Sequence, residues 1–458
     1  MNTGDTAWVL ASAALVLLMT PGLALFYGGM VRAKSVLNMM MMSFGALALI
    51  SVLWVLYGYS EAFGNDVGGG LVGNPFEFFG LSHLIGTRGA GDGFTATHLV
   101  GTIPATAFVA FQAVFAIITV ALISGAIADR ARFGAWLVFA GVWATVVYFP
   151  VAHWVFAFDG AQSATGGWIA NELRAIDFAG GTAVHVNAGA AGLALALVLG
   201  KRVGWRRDPM RPHNLPLVMI GAGLLWFGWF GFNAGSALSA NGQAAEVWVT
   251  TMVATGAGAL GWLLVERLRD GHATSLGAAS GVVAGLVAIT PSCSAVTPLG
   301  AIAVGGLAGV LCALAVGLKF RFGFDDSLDV VGVHMVGGFW GTIAVGLFAS
   351  GATTAGVDGL FYGGGLHQLW RQSVGAVAVM LFSFVASYLI GLAIERTIGF
   401  RLSEEDELEG IDGVEHAESA YDFSTATGRG GGLAGAGHLG SPATAAAEPV
   451  PEVRGVHA

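Results

Sequence analysis

The 458-residue sequence is short of charge: 11% of it is Asp, Glu, Lys or Arg, and 55% is apolar. A soluble domain carries about a quarter charged residues, so an all-round aqueous surface is excluded. Cysteine is nearly absent. Cys293 and Cys312 are the only two. If the stretch between them is mostly helical they lie roughly 20 Å apart, which argues against a disulfide and leaves no cysteine cluster for a metal. No phosphate loop, HExxH or nucleophile elbow is present, so no enzymatic chemistry is written as a motif and no cofactor is expected. The N-terminus lacks a basic stretch before its first apolar run, so no cleaved signal peptide is expected.

What is abundant is apolar sequence in runs of roughly twenty residues, the length that spans a bilayer core as helix. Glycine is the second excess, with 72 residues, roughly twice the usual share. Without a collagen period, it fits close helix packing in lipid. The expectation is an all-α polytopic membrane protein of eleven transmembrane helices. They fall at about 7–30, 36–61, 103–127, 133–157, 178–200, 215–238, 246–266, 275–291, 298–318, 329–350 and 372–396. Residues 1–400 form the membrane domain, with helices one to five over about 7–200 and helices six to eleven over about 215–396. A loop at about 62–102, rich in Gly and Asn, is read as an outer cover.

The net charge of −9 belongs to the end of the chain. From Leu402 onward there are eleven acids and two arginines, and the remainder holds eighteen of each sign. Residues 401–424 are read as a cytoplasmic tail. Residues 425–458, rich in Gly, Ala, Ser and Pro, are expected to be disordered. Fifteen of the twenty basic residues fall on one alternating set of loops and after the last helix. The positive-inside rule then puts the N-terminus outside and the C-terminus inside a cell membrane.

Two histidines stand in almost charge-free apolar segments. His185 lies in FAGGTAVHVNAG and His334 in DVVGVHMVGG. An ionisable group at membrane depth is costly, so each is a functional candidate by default. One alone would read as a packing histidine. Two are different, because each follows an aspartate, Asp177 and Asp329, in helices five and ten. Those helices are five apart and so opposite in direction. This suggests an inverted repeat of helices one to five and six to ten, with a long last helix added and a site at the interface. The match is imperfect: the Asp-to-His spacing is eight in one half and five in the other.

The stretches DFAGGTAVHVNAG (177–189), GWFGFNAGSA (228–237), FQAVFA (111–116) and DVVGVHMVGG (329–338) resemble motifs of the Amt/Mep/Rh ammonium transporters, on the bacterial Amt side. The resemblance covers nearly the whole membrane part and part of the tail. It implies that His185 and His334 are twin pore histidines. Phe115 and Phe232 match a stacked pair that gates the pore, and Trp229 a pore-lining residue. Phe111, Phe156 and Ser236 match an outer site that recruits ammonium, and Asp177 a carboxylate that holds this vestibule together. At Phe156 the family more often has Trp, a better cation–π partner; Trp154, two residues earlier, is a substitute to consider. For each aromatic alone, lipid or core packing is the plain reading, as a helical back-bond is for Ser236 and an N-cap for Asp177.

The resemblance further implies ammonium, ammonia and methylammonium as substrates. It also implies a homotrimer with one pore per subunit, and a PII-type regulatory protein at the cytoplasmic tail. Two other readings are an ammonium sensor signalling through that tail and a Rh-type ammonia gas channel. The Ser236 motif and the Amt-like tail argue against the latter.

Overall fold

Short polar residues start several of the helices. Asn2, Asn214, Asn241, Thr274 and Thr297 each accept a backbone N–H bond in the first turn that follows, satisfying donors no earlier turn can reach. In the computed structural model the helices are α1 Thr3–Met30, α2 Val36–Phe63, α3 Ala105–Ile127, α4 Phe133–Phe156, α5 Gly181–Leu199, α6 Leu215–Gly235, α7 Gly242–Asp270, α8 Ser275–Ile289, α9 Pro298–Phe322, α10 Val331–Phe348 and α11 His367–Thr397. The structure describes residues 1–88, 94–95, 98–208 and 210–421. The tail expected to be disordered, 425–458, lies outside the described residues, as do the last three positions of the segment 401–424.

Ten of these helices are long and apolar enough to cross a membrane. The expected eighth, Ser275–Ile289, is apolar but has 15 residues. Two short antiparallel pairs, Thr87–Arg88 with Phe94–Thr95 and Leu99–Val100 with Ile103–Pro104, lie in or beside the loop expected at 62–102. They are short pairings, and the described residues are otherwise mostly helical.

Glycine sets the packing distances. A Cβ on Gly22 of α1 would sit 3.0 Å from Leu224 Cβ of α6, and one on Gly258 of α7 would sit 2.6 Å from Gly285 Cα of α8. Backbones that close gain dispersion contacts that lipid does not offer. The pairing follows the repeat: α1 lies along α6, and α5 along α10.

Buried charge ties the basic face together. Arg202 pairs with Asp325 at 2.9 Å and Asp129 at 3.1 Å. Arg130, fully buried, donates to Ser327 Oγ and the Asp325 carbonyl, both at 2.6 Å, and burial pushes its guanidinium down to about 10. Two short tail helices, α12 Glu404–Glu409 and α13 Ile411–His416, dock on the same face. Asp412 accepts from the N–H groups of Leu37 and Asn38 at the start of α2, and Glu415 from that of Phe133 at the start of α4. Acidic side chains suit these positions because helix N-termini carry partial positive charge. The acidity of this segment thus has a local structural use.

Candidate functional site

The segments that carry the two histidines are both wound as π-helical turns, Gly181–Val186 and Val331–Met335. Each opens its helix, and the first turn of a helix leaves N–H groups for an outside acceptor. Asp177 supplies it in the first half. Its carboxylate accepts from Gly180, Gly181, Thr182 and Ala183 at 2.7–3.1 Å. The counterpart in the second half is Asp326 and not Asp329. Asp326 accepts from Val330 at 3.1 Å and Val331 at 2.7 Å. Asp329 sits at φ 64° and turns its carboxylate to Lys319, 2.7 Å away. With Asp326 as the cap, the Asp-to-His spacing is eight in both halves, which removes the mismatch seen in the sequence.

The symmetry continues past the histidines. Gly189 and Gly338 each lie four residues beyond their histidine. A Cβ on Gly338 would sit 2.8 Å from the Gly181 carbonyl and 2.9 Å from His185 Cβ; one on Gly189 would strike the backbone of Met335. Each glycine lets its helix press on the opposite histidine segment. Gly338→Ala is therefore expected to push the two segments apart, at a cost of about 1–3 kcal/mol for overpacking. It should lower both the melting midpoint in detergent and methylammonium uptake. Gly306→Ala, where a Cβ meets nothing within 4 Å, is the control. A wild-type midpoint and uptake in Gly338→Ala would refute this packing argument.

The result is direct contact. His185 Nδ1 and His334 Nδ1 are 3.3 Å apart, with ring planes 18° from parallel. Two nitrogens at that distance share one hydrogen, so one ring donates and the other accepts. The Nε2 atoms then have opposite roles, one a donor and one an acceptor. His185 Nε2 is buried and makes no hydrogen bond.

Rings stack above the pair. Phe115 and Phe232 lie 4.2 Å apart at 27°, and Phe232 lies 6.1 Å from His185. Trp229 lies flat beside His185 at 5.3 Å and donates its indole N–H to Thr290 Oγ1 at 2.8 Å. Phe111 leans on Phe115 at 4.9 Å. Phe115 and Phe232 are at most 1% exposed, so the stack is closed. Over it is a cavity of about 90 Å³, lined by Phe111, Phe115, Phe156 and Ser236 together with Gln112, Gln162 and Phe178. A wider cavity of about 470 Å³ shares Phe156 and Ser236 and includes Asp177. Ser236 Oγ donates to the Phe232 carbonyl at 2.8 Å. That is the plain helical back-bond, and it leaves the oxygen lone pairs to accept.

All nine residues singled out in the sequence thus lie in one column or on its outer walls. Trp154 does not. Its indole N–H goes to the Leu71 carbonyl at 2.7 Å and its ring packs on Trp168 and Phe382. It does not replace the aromatic wall of Phe156. Gln112, Gln162 and Phe178 were missed. Gln112 follows Phe111 directly, but nothing in the sequence places Gln162 near the column. Among the described residues no group of His, Cys, Asp and Glu is arranged to hold a metal. Cys293 and Cys312 are both buried and unpaired with each other.

A family model described as Ammonium Transporter Family matches residues 7–421. A Mycobacterium tuberculosis protein named ammonium transporter is 66% identical over 437 residues, covering 93% of this chain and 91% of its own. The crystal structure of Saccharomyces cerevisiae Mep2 aligns with a TM-score of 0.78 at 33% identity, over 88% of each chain. A solved structure described as a sensor Amt protein aligns with a TM-score of 0.81 at 28% identity, over 90% of this chain and 98% of its own.

Proposed function

The chain belongs to the ammonium transporter family, and on that premise we propose how it moves ammonium and rejects other cations. It is a multi-pass membrane transporter and not an enzyme. The observation that carries the mechanism is the 3.3 Å contact of two histidines beneath a closed phenylalanine stack.

Ammonium and potassium carry the same charge at similar size, so a fixed-charge filter separates them poorly. A bare cation at the bilayer centre costs from about 2.5 to more than 10 kcal/mol. Ammonium has an escape that potassium lacks: it can leave a proton behind and cross the dry section as ammonia. The proposed order follows the column. Phe111, Phe156 and Ser236 recruit ammonium outside. Aromatic faces contribute about 0.5–2 kcal/mol to a cation, less for Phe than for Trp, and Ser236 accepts an N–H. Deprotonation occurs at the Phe115–Phe232 gate. Ammonia then passes Trp229, His185 and His334, where one Nε2 donates to it and the other accepts. Asp177 keeps the outer histidine segment in place through its four N–H bonds. The proton released at the gate passes to the imidazole nitrogens of the histidine pair beneath it and leaves from the far side of the pair to reprotonate ammonia inside, so that transport is net ammonium transport.

The same reading gives eleven crossings with the basic loops inside, a homotrimer, and a cytoplasmic tail at 401–424 that a PII-type protein engages. Ammonium sensing through that tail is kept as a second role, because the pore residues are all present and the tail is docked on two helix starts. Current across reconstituted vesicles tests the main reading. An inward ammonium gradient should give current that rises with ammonium, and an equal potassium gradient none. Equal currents for both cations would overturn the mechanism; ammonia flux without current would favour a neutral gas channel.

A further inference from the structure

Part of the wall of the outer site comes from a loop. Between α4, which ends at Phe156, and α5, which starts at Gly181, the chain makes a tight turn at 158–163. The Gly160 N–H donates to the Ser163 carbonyl at 2.8 Å, and the Ala161 N–H to that of Phe158 at 3.2 Å. Gly160 sits at φ 72°, which costs glycine no side-chain clash. The turn presents Gln162, which folds back into the protein and is only 7% exposed.

The turn is fixed from two sides. Asn65 Oδ1 accepts from the N–H groups of Ala164 at 2.7 Å and Thr165 at 3.3 Å. Asn65 is itself held by Glu77, whose carboxylate accepts from its backbone N–H at 2.6 Å and its carboxamide at 2.7 Å. On the other side, Asn171 accepts from the Asp159 N–H at 3.0 Å and donates to the Ala157 carbonyl at 2.9 Å. A buried amide on a turn clamped in this way has a defined place.

That place borders two cavities. Gln162 lines the cavity of about 90 Å³ over the phenylalanine stack, together with Phe156 and Ser236. It also lines a larger one of about 480 Å³ that includes Glu77, His98 and Ser163. Gln162 is common to both linings.

The chemistry of the small cavity leaves work for such a group. Six of its lining residues are phenylalanines, and phenyl faces are weaker cation partners than indoles. They attract ammonium but cannot replace the hydrogen bonds that its four N–H groups made to water. Ser236 offers one oxygen. The Gln162 carbonyl oxygen takes a long bond of 3.3 Å from the Phe158 N–H, and a carboxamide oxygen can accept a second.

We propose that Gln162 is a further ammonium ligand of the outer site. Its carboxamide oxygen accepts an N–H from ammonium passing between the two cavities and, with Ser236, holds the ion in the smaller one. Glu77, Asn65 and Asn171 act through the turn as positioning residues. The assignment rests on the transport reading above.

The test is ammonium-driven current in reconstituted vesicles, measured against ammonium concentration. Gln162→Leu, close in size and without the oxygen, removes a hydrogen bond to a charged group. It should raise the half-saturating ammonium concentration roughly tenfold, with a much smaller fall in maximum current. Gln162→Ala should show the same rise and serves if the Leu protein does not fold. Gln162→Glu keeps an acceptor oxygen for both the Phe158 N–H and ammonium and adds charge, so half-saturation should return to the wild-type value or below. Half-saturation unmoved in the Leu and Ala proteins, beside a normal wild-type ammonium current and no potassium current, would overturn the role of Gln162 and leave the transport reading standing. A Glu protein as weak as the Leu protein would also overturn it, since shape and not the acceptor would then matter. Absence of a selective current in the wild type would remove the transport reading and this assignment together.

Discussion

Replacing His185 and His334 together by alanine will abolish selective ammonium uptake while leaving a folded membrane protein. In the proposed path the two rings supply the polar contacts below the phenylalanine gate. Both are nearly fully buried, so no bulk water replaces them. A polar molecule that loses a hydrogen bond in a dry site loses about 1–3 kcal/mol, and each 1.4 kcal/mol is tenfold. Losing one contact at each ring puts the expected fall in methylammonium uptake at about a hundredfold or more. The void left beside Trp229 and Phe232 is walled by aromatic rings, and apolar voids stay empty of water, so it does not become a bypass. Folding is retained because the caps that shape the two segments, Asp177 and Asp326, are backbone contacts that the variant does not touch. Uptake in vesicles and the melting midpoint should be measured on one preparation. Undiminished uptake at wild-type protein level would remove the histidines from the mechanism.

The sequence made most of this column legible because membrane sequence is so restrictive. Where 55% of residues are apolar, a histidine in the middle of a span is conspicuous, and two in opposite-facing helices are more so. Helix positions were equally plain, since length and hydropathy set them. The seventh and last helices differ from expectation only in running further at their ends. What stayed hidden depends on contacts between distant segments. Asp326 lies between Asp325 and Asp329, and spacing alone cannot say which of the three turns to the helix start. The structure shows that Asp325 goes to Arg202 and Asp329 to Lys319, which leaves Asp326 as the cap. The basic loop residues were counted for orientation as one class. Folding separates them into buried structural cations, such as Arg130 and Arg202, and exposed ones, such as Arg206. Gln162 reaches the vestibule because its loop is held by a bond from the Phe158 N–H to its own side chain at 3.3 Å, which no local pattern announces.

His185→Asp will let potassium through. Rejection of a bare ion rests on the column having aromatic faces and imidazole nitrogens but no fixed negative charge. A carboxylate at position 185 would stand in place of a ring now 3.3 Å from His334 and 6.1 Å in ring-centroid distance from Phe232, below the gate and out of bulk water. Two opposite unit charges about 4 Å apart gain about 4 kcal/mol at an effective dielectric constant near 20. That is comparable to the lower range of the cost of placing a cation at membrane depth. Potassium needs no proton exchange to use this gain. Selectivity for ammonium over potassium should therefore fall by roughly a hundredfold or more, seen as a potassium current in vesicles where the wild type gives none. The leak should grow as pH rises and fade as pH falls, because only the ionised carboxylate attracts the ion. His185→Asn, of the same shape and without the charge, separates the two causes. It should impair ammonium uptake without a potassium current. A leak in the Asn variant equal to that in the Asp variant would mean that lost bulk, and not gained charge, opens the column, and that selectivity is steric.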